Sequence, residues 1–233
     1  MDTMALNKNI SKLLSATYGW MFYALGISGV VAGIMATILI ASPALMTSFI
    51  VLFILAAIAE IGIVIYFGMK IEDKKLSFSK SLTLFTVYSA LNGFILAPIF
   101  LHYTAISIAT TFFIVAGMFA IMSLIGYFTK IDLSKFGSIL FMCLIGLIIA
   151  TVINMFIANS VLYWVVTYAG VLIFIGLTAY DTQQLKHVLY NAIDDQGIVS
   201  DQAGKITLWF ALELYLDFVN LLLMMLRLLG NNK

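Results

Sequence analysis

Runs of about twenty apolar residues, each long enough to cross a hydrocarbon layer as a helix, recur seven times along the chain. They fall at roughly 19–41, 46–69, 81–101, 104–128, 136–158, 161–185 and 206–229. Only a few residues separate the first run from the second, the third from the fourth, and the fifth from the sixth, so these pairs read as helical hairpins. The expected fold is an all-α membrane protein of seven transmembrane helices. Residues 1–18 are polar and read as an N-terminal segment, and 19–233 as a single transmembrane domain.

Composition agrees. The chain is 63% hydrophobic and 10% charged, where a soluble domain carries about 25% charged residues, and its mean hydropathy is +1.11. A formal net charge of +1 gives no electrostatic case for a nucleic-acid partner. The single cysteine, Cys143, rules out an intrachain disulfide. The first apolar run is too long for a signal-peptide core and no small-x-small cleavage site follows it, so it reads as a retained span.

Basic residues set the orientation. Lys8 and Lys12, Lys70, Lys74, Lys75 and Lys80, Lys130 and Lys135, and Lys186 and Lys205 all fall on one side of the seven runs; Arg227 and Lys233 fall on the other. The positive-inside rule places the N-terminus in the cytoplasm. An odd span count then puts the C-terminus outside, unless the last segment is re-entrant. The longest connection, 182–205, opens with an amphipathic run (Leu185, Val188, Leu189, Ile193) that extends the sixth helix, and Asp194-Asp195-Gln196-Gly197 reads as a turn. Asp194, Asp195 and Asp201 read as solvated loop residues.

Against this background the polar residues inside the spans stand out, because an ionisable group at mid-membrane costs roughly 2.5–3.5 kcal/mol on insertion scales. Glu213, Asp217 and Asn220 are spaced i, i+4, i+7 and fall within about 60° of one another on a helix. That stripe should face the bundle interior. Asn220 reads either as helix-to-helix hydrogen bonding or as part of a site. Asp181 sits near the cytoplasmic end of the sixth run, as an interfacial residue or as a partner for Asp217. Glu60 lies in mid-span among small residues that permit close helix approach. Lys70 and Lys74 are topology determinants or counter-charges. Pro98 reads as a kink or helix stop, and His102 as an interfacial anchor.

Several of these residues sit in segments that resemble the transmembrane Bax-inhibitor-motif family, and its bacterial members in particular. Tyr180-Asp181-Thr182-Gln183-Gln184-Leu185-Lys186 is similar to the family's sixth-helix signature. Leu214-Tyr215-Leu216-Asp217-Phe218-Val219-Asn220, followed by Leu226-Arg227-Leu228-Leu229-Gly230, is similar to its seventh. Glu60 stands where the family has a second-helix glutamate, and Ala97-Pro98 with His102-Tyr103 fits its third-helix end. The resemblance implies a seven-helix bundle with a central helix, in a bacterial inner membrane. It implies an aspartate pair, here Asp181 and Asp217, that shares a proton, senses pH and gates a calcium leak. It also implies a basic residue near the end of the second helix, for which Lys70 and Lys74 are the candidates, and a membrane-bound AAA protease as a partner.

The chemistry behind this expectation is elementary. Two carboxylates about 4 Å apart in an effective dielectric near 20 repel by roughly 4 kcal/mol, so they share a proton and titrate as a pair. Losing the proton introduces repulsion that helix separation or a cation relieves, and calcium accepts carboxylate oxygens in flexible geometry. Asp181 and Asp217 are thus the gate and the candidate calcium ligands, with Glu60, Glu213 and Asn220 as pathway or relay groups. No tightly bound cofactor is expected beyond calcium as the permeant ion. Enzymatic activity is not expected either. The Gly-x-Gly-Asp half of an intramembrane aspartyl protease is replaced by Leu214-Tyr215-Leu216-Asp217, and two histidines are too few for a seven-span metal hydrolase. The alternative is a regulatory membrane protein that modulates a protease or stress response without transport of its own.

Overall fold

The computed structural model describes residues 3–71, 76–193 and 201–233, and side chains from residue 8 onward except those of 192, 201 and 202. Seven helices dominate it: α1 (Thr3–Ala41), α2 (Met46–Lys70), α3 (Phe78–His102), α4 (Ala105–Phe128), α5 (Ser134–Ile157), α6 (Ser160–Ala192) and α7 (Asp201–Leu229). A single 3-10 turn, Pro43–Leu45, links α1 to α2. All seven are long and apolar enough to cross a membrane. In hydrocarbon backbone N–H and C=O groups must be satisfied within the segment, which these helices do except where Pro98 leaves the Phe94 carbonyl of α3 without its usual donor.

Three boundaries differ from the hydropathy reading. α1 runs unbroken from Thr3 through the polar segment before residue 19. α6 continues past its apolar run to Ala192, as its amphipathic continuation implied, with Leu185 and Leu189 buried. α7 begins at Asp201, so Lys205, counted among the loop lysines, lies inside a helix and is buried. The Asp194–Gly197 turn and Lys74 lie outside the described residues. Pro98 does not stop α3, which continues for another turn to His102.

The chain forms two compact units. The first comprises Met1–Thr104, Val188–Tyr215 and Asn232–Lys233; the second comprises Ala105–His187 and Leu216–Asn231. In the first, α1 packs along α3 and α3 along α2. Their apolar contact centres on Leu39, Phe49 and Ala97, with the Phe49 and Phe94 rings 4.7 Å apart. Phe67 meets Trp209 edge-on at 5.5 Å. Lys233 donates through its backbone N–H to the His102 carbonyl at 2.9 Å. In the second unit, Phe112 and Phe119 of α4 pack on Phe218 of α7 at 5.2 and 5.5 Å. Ala158 joins α5 to α6 in the left-handed conformation, φ 52°. Asn154 closes this turn by accepting from the Asn159 N–H at 3.0 Å.

Burial separates α7 from the rest. In its most apolar window 61% of residues are buried, against 11% to 33% in the other six helices. Leu208, Leu212, Leu214 and Tyr215 are enclosed in the first unit, and Phe218, Leu221 and Leu226 in the second. α7 is therefore the most enclosed of the seven helices. Elsewhere large apolar side chains such as Ile58, Phe113 and Phe156 are well exposed. In water such a surface would drive association; against lipid it is the expected solvent-facing face.

Candidate functional site: a carboxyl pair and a buried polar chain

In the second unit α6 approaches its neighbours unusually closely around Asp181. A Cβ at Gly126 of α4 would collide with the Ala179 carbonyl group, and one at Gly137 of α5 would lie 2.6 Å from the Tyr180 ring and hydroxyl. Small residues at these two crossings let the backbones meet. Polar side chains after Asp181 then fasten the helix. Gln183 accepts from the Leu133 N–H at 2.8 Å and donates to the Ile131 carbonyl at 2.9 Å, clamping the α4–α5 connection with both ends of its amide. Gln184 donates to Ser134 Oγ at 3.1 Å and to Tyr180 Oη at 3.3 Å. Lys186 donates to the Tyr127 carbonyl at 2.9 Å and lies 4.6 Å from the centre of the Tyr127 ring. The Tyr180–Lys186 motif is thus mostly a device that fixes the height and rotation of α6.

Held there, the Asp181 carboxyl lies against the carboxyl of Asp217 of α7, within hydrogen-bonding reach. Two carboxyl groups can hydrogen-bond only when one of them carries a proton, since a carboxylate has no donor. Asp217 is buried, and Asp181 keeps partial exposure. Phe218, next to Asp217, is enclosed by the α4 rings. The pair therefore has a hydrophobic wall on the α4 side.

The other stripe residues behave differently. Asn220 donates to the Leu216 carbonyl of its own helix at 2.9 Å, so its amide is engaged locally. Glu213 is half-buried and belongs to the first unit. Lys70 is the last residue of α2, in the first unit, and makes contacts of its own.

The first unit contains a second polar centre. Gly93 lets α3 press onto α1, where a Cβ would lie 2.6 Å from the Ser28 carbonyl oxygen. That crossing brings Ser28 Oγ to 2.6 Å from Tyr215 Oη, and Tyr215 donates to Asn92 Oδ1 at 2.8 Å. Ser28 Oγ is also within 2.8 Å of the Ser89 carbonyl and 2.9 Å of the Ala24 carbonyl. Asn92 hydrogen-bonds in turn to Glu60 of α2 and to Tyr88. Glu60 Oε1 is buried with no partner among the described residues. The chain Glu60–Asn92–Tyr215–Ser28 thus crosses four helices. Tyr215 and Ser28 carry no charge and break no apolar pattern, so hydropathy alone does not flag them; the distinguishing signal is a tyrosine inside the seventh-helix motif.

Among the described residues no cluster of three or more His, Cys, Asp or Glu side chains is brought together. The aspartate pair offers four carboxyl oxygens, and calcium takes six to eight oxygen ligands. The pair alone does not complete such a shell.

Comparison with known proteins agrees with the fold and the motifs. The family described as "Inhibitor of apoptosis-promoting Bax1" matches residues 10–233. The "Inner membrane protein YbhL" of Escherichia coli K12 is 44% identical over 220 residues, covering 94% of this chain and 92% of that protein. "Uncharacterized protein RP147" of Rickettsia prowazekii is 42% identical over 175 residues, covering 75% and 71%. "Uncharacterized membrane protein M6_Spy0327" of Streptococcus pyogenes is 39% identical over 178 residues, covering 72% and 75%. With seven membrane-length helices, a buried seventh helix and a family match over nearly its whole length, the chain belongs to the Bax1 inhibitor family of multi-pass membrane proteins.

Proposed function

We propose that this protein is a pH-sensitive cation leak, with calcium as the permeant ion, gated by the Asp181–Asp217 pair. The observation that carries this reading is the juxtaposition of two carboxyl groups, which can hydrogen-bond α6 to α7 only while they share a proton. Release of that proton replaces an attractive contact with two like charges in a partly apolar site. Two responses relieve the repulsion: α6 and α7 separate, or a divalent cation enters between the carboxylates. The Gln183 clamp keeps the rest of α6 anchored while the aspartates part.

Glu60 serves as a relay group in this scheme. While Asn92 Oδ1 accepts from Tyr215, the amide's NH₂ is left to donate to a Glu60 carboxylate. A protonated Glu60 can donate as well as accept, and when it donates to Asn92 the amide turns over. Tyr215 then points its proton at Ser28, and Ser28 points its own at the Ser89 or Ala24 carbonyl. Reversal of the chain moves hydrogen bonds on α7 without moving a helix.

Location in the inner membrane is supported by the likeness to the E. coli protein, and a cytoplasmic N-terminus by the one-sided lysines. Lys70 remains the described candidate for a counter-charge. The test is calcium flux into proteoliposomes between about pH 6 and pH 8, comparing wild type with Asp181→Asn and Asp217→Asn. Flux that rises with pH in wild type and loses that dependence in both variants is the expected result. Absent flux in wild type, with a membrane protease retained on purification, would favour the regulatory role instead.

A further inference from the structure

Arg227 occupies a place that the transport reading does not use. It lies two residues from the end of α7, in the second unit, beside a cavity of about 200 Å³ lined by Thr151, Asn154, Met155, Tyr163, Val166 and Arg227. These residues sit near the C-terminal end of α5, the start of α6 and the end of α7, which is the end of the unit away from Lys130, Lys135 and Lys186. A guanidinium carries five N–H donors and no acceptor. Here its contacts are the Tyr163 ring, 5.3 Å from the centroid, and the Met224 sulfur at 3.9 Å. Only one donor is engaged, on the weak sulfur acceptor of Met224, and among the described residues no carboxylate pairs with the guanidinium.

The rest of the lining fits an anion. Asn154 spends its Oδ1 on the Asn159 N–H, which leaves its NH₂ as the free end of the amide. Thr151 gives its hydroxyl proton to the Leu147 carbonyl at 2.7 Å and so adds no donor, leaving Asn154 and Arg227 to meet the anion. The start of α6 adds the positive end of a helix dipole nearby. Met155, in the lining, and Phe156 and Val161, close to it in the chain, are strongly exposed apolar side chains near the cationic head. A cation at interfacial depth with exposed apolar side chains near it matches a phosphodiester on a hydrocarbon chain.

We propose that the Arg227 cavity holds the phosphate of a phospholipid headgroup, with an acyl chain lying along Met155 and Phe156. Guanidinium forks match phosphate oxygens two at a time, which a lysine ammonium does not reproduce. The site is independent of the aspartate pair, and its failure would leave the gating scheme untouched.

Native mass spectrometry of the detergent-solubilised chain tests it, with three probes: phosphatidylglycerol, a diacylglycerol glycolipid lacking phosphate, and inorganic phosphate. The expected result is one retained phosphatidylglycerol, bound at least about tenfold more tightly than the glycolipid and weakened about tenfold in Arg227→Gln. Arg227→Lys should fall between the two. Equal retention of both lipids, or equal retention by wild type and Arg227→Gln, would overturn the proposal. Displacement of the lipid by inorganic phosphate would overturn the lipid assignment in favour of a free anion. Should Arg227→Gln fail to fold, phosphatidylglycerol with a photoreactive headgroup decides on wild-type protein alone. Crosslinks within 151–166 support the site, and crosslinks confined elsewhere refute it.

Discussion

Gly126 and Ala179 meet backbone to backbone: a Cβ added to Gly126 would lie 2.9 Å from both the Cα and the carbonyl carbon of Ala179. Neither backbone can yield without moving α4 away from α6 two residues before Asp181. Gly126→Ala should therefore destabilise the protein by about 1–3 kcal/mol in reversible unfolding from detergent micelles. Gly117→Ala, where nothing lies within 4 Å, is the control. It should be neutral or stabilising by up to about 1 kcal/mol, since alanine is the better helix former.

The aspartate pair makes a signed prediction. The inter-helix bond requires its proton, so it is intact at low pH and lost as pH rises, and flux should rise in that direction. Asparagine at either position supplies a donor that never dissociates. Both Asp181→Asn and Asp217→Asn should give low flux that no longer responds to pH, and the double substitution should add little. A double variant whose effect equals the sum of the single ones would show that the residues act separately.

Gln183 should matter to α5 rather than to α6 alone. It is 5% exposed and satisfies both a donor and an acceptor of the α4–α5 connection. Gln183→Leu leaves the Leu133 N–H and the Ile131 carbonyl without this partner, at a cost of about 1–3 kcal/mol. Hydrogen exchange should locate the damage, with the Leu133 amide exchanging faster while the amides of α7 keep their protection.

Tyr215→Phe removes the hydroxyl that joins Ser28 to Asn92, and should cost about 1–3 kcal/mol because both partners stay buried. In pH-difference infrared spectra the tyrosine signal should vanish in Tyr215→Phe. It should vanish equally in Glu60→Gln, where no proton arrives to reverse the chain. A tyrosine signal that persists in Glu60→Gln would disprove the relay.

Asp132 offers a pH effect outside the membrane. Its carboxylate accepts from the Ser134 N–H at 3.0 Å, which holds its pKa below the usual aspartate value. A carboxyl held low in the folded state stabilises that state above its unfolded pKa and loses the effect as pH falls through the folded one. Exchange protection at the start of α5 should therefore drop on acidification in wild type. In Asp132→Asn that acid step should be missing.

How far these features were readable in advance depends on their physical origin. All seven spans were legible, because the bilayer imposes a length and an apolar composition that any chain crossing it must show. The extension of α6 was legible too, from its amphipathic run, but the ends of α1 and α7 were not. Thr3 and Asp201 lie in polar surroundings where hydropathy says nothing about helix continuation. The pairing of Asp181 with Asp217 was suggested by motif resemblance, since periodicity orients Asp217 but leaves Asp181 ambiguous. The Glu60 chain was invisible as a whole: its members come from four helices, and only the glutamate is charged. Gln183 and Lys186 were read as parts of a signature, when much of their work is mechanical attachment to α4 and its connection to α5.

The burial of α7 has a consequence for how the protein is made. Its first half belongs to one compact unit and its second half to the other, and it is enclosed in both. It also leaves the ribosome after the other six described helices and is the least apolar of them, with a mean hydropathy of 1.6. Six helices must therefore enter the membrane and wait, each unit lacking its innermost strut, until a segment bearing Glu213 and Asp217 arrives. Neither unit matures before the other, so premature termination anywhere ahead of Asp201 should yield inserted helices and no assembled protein.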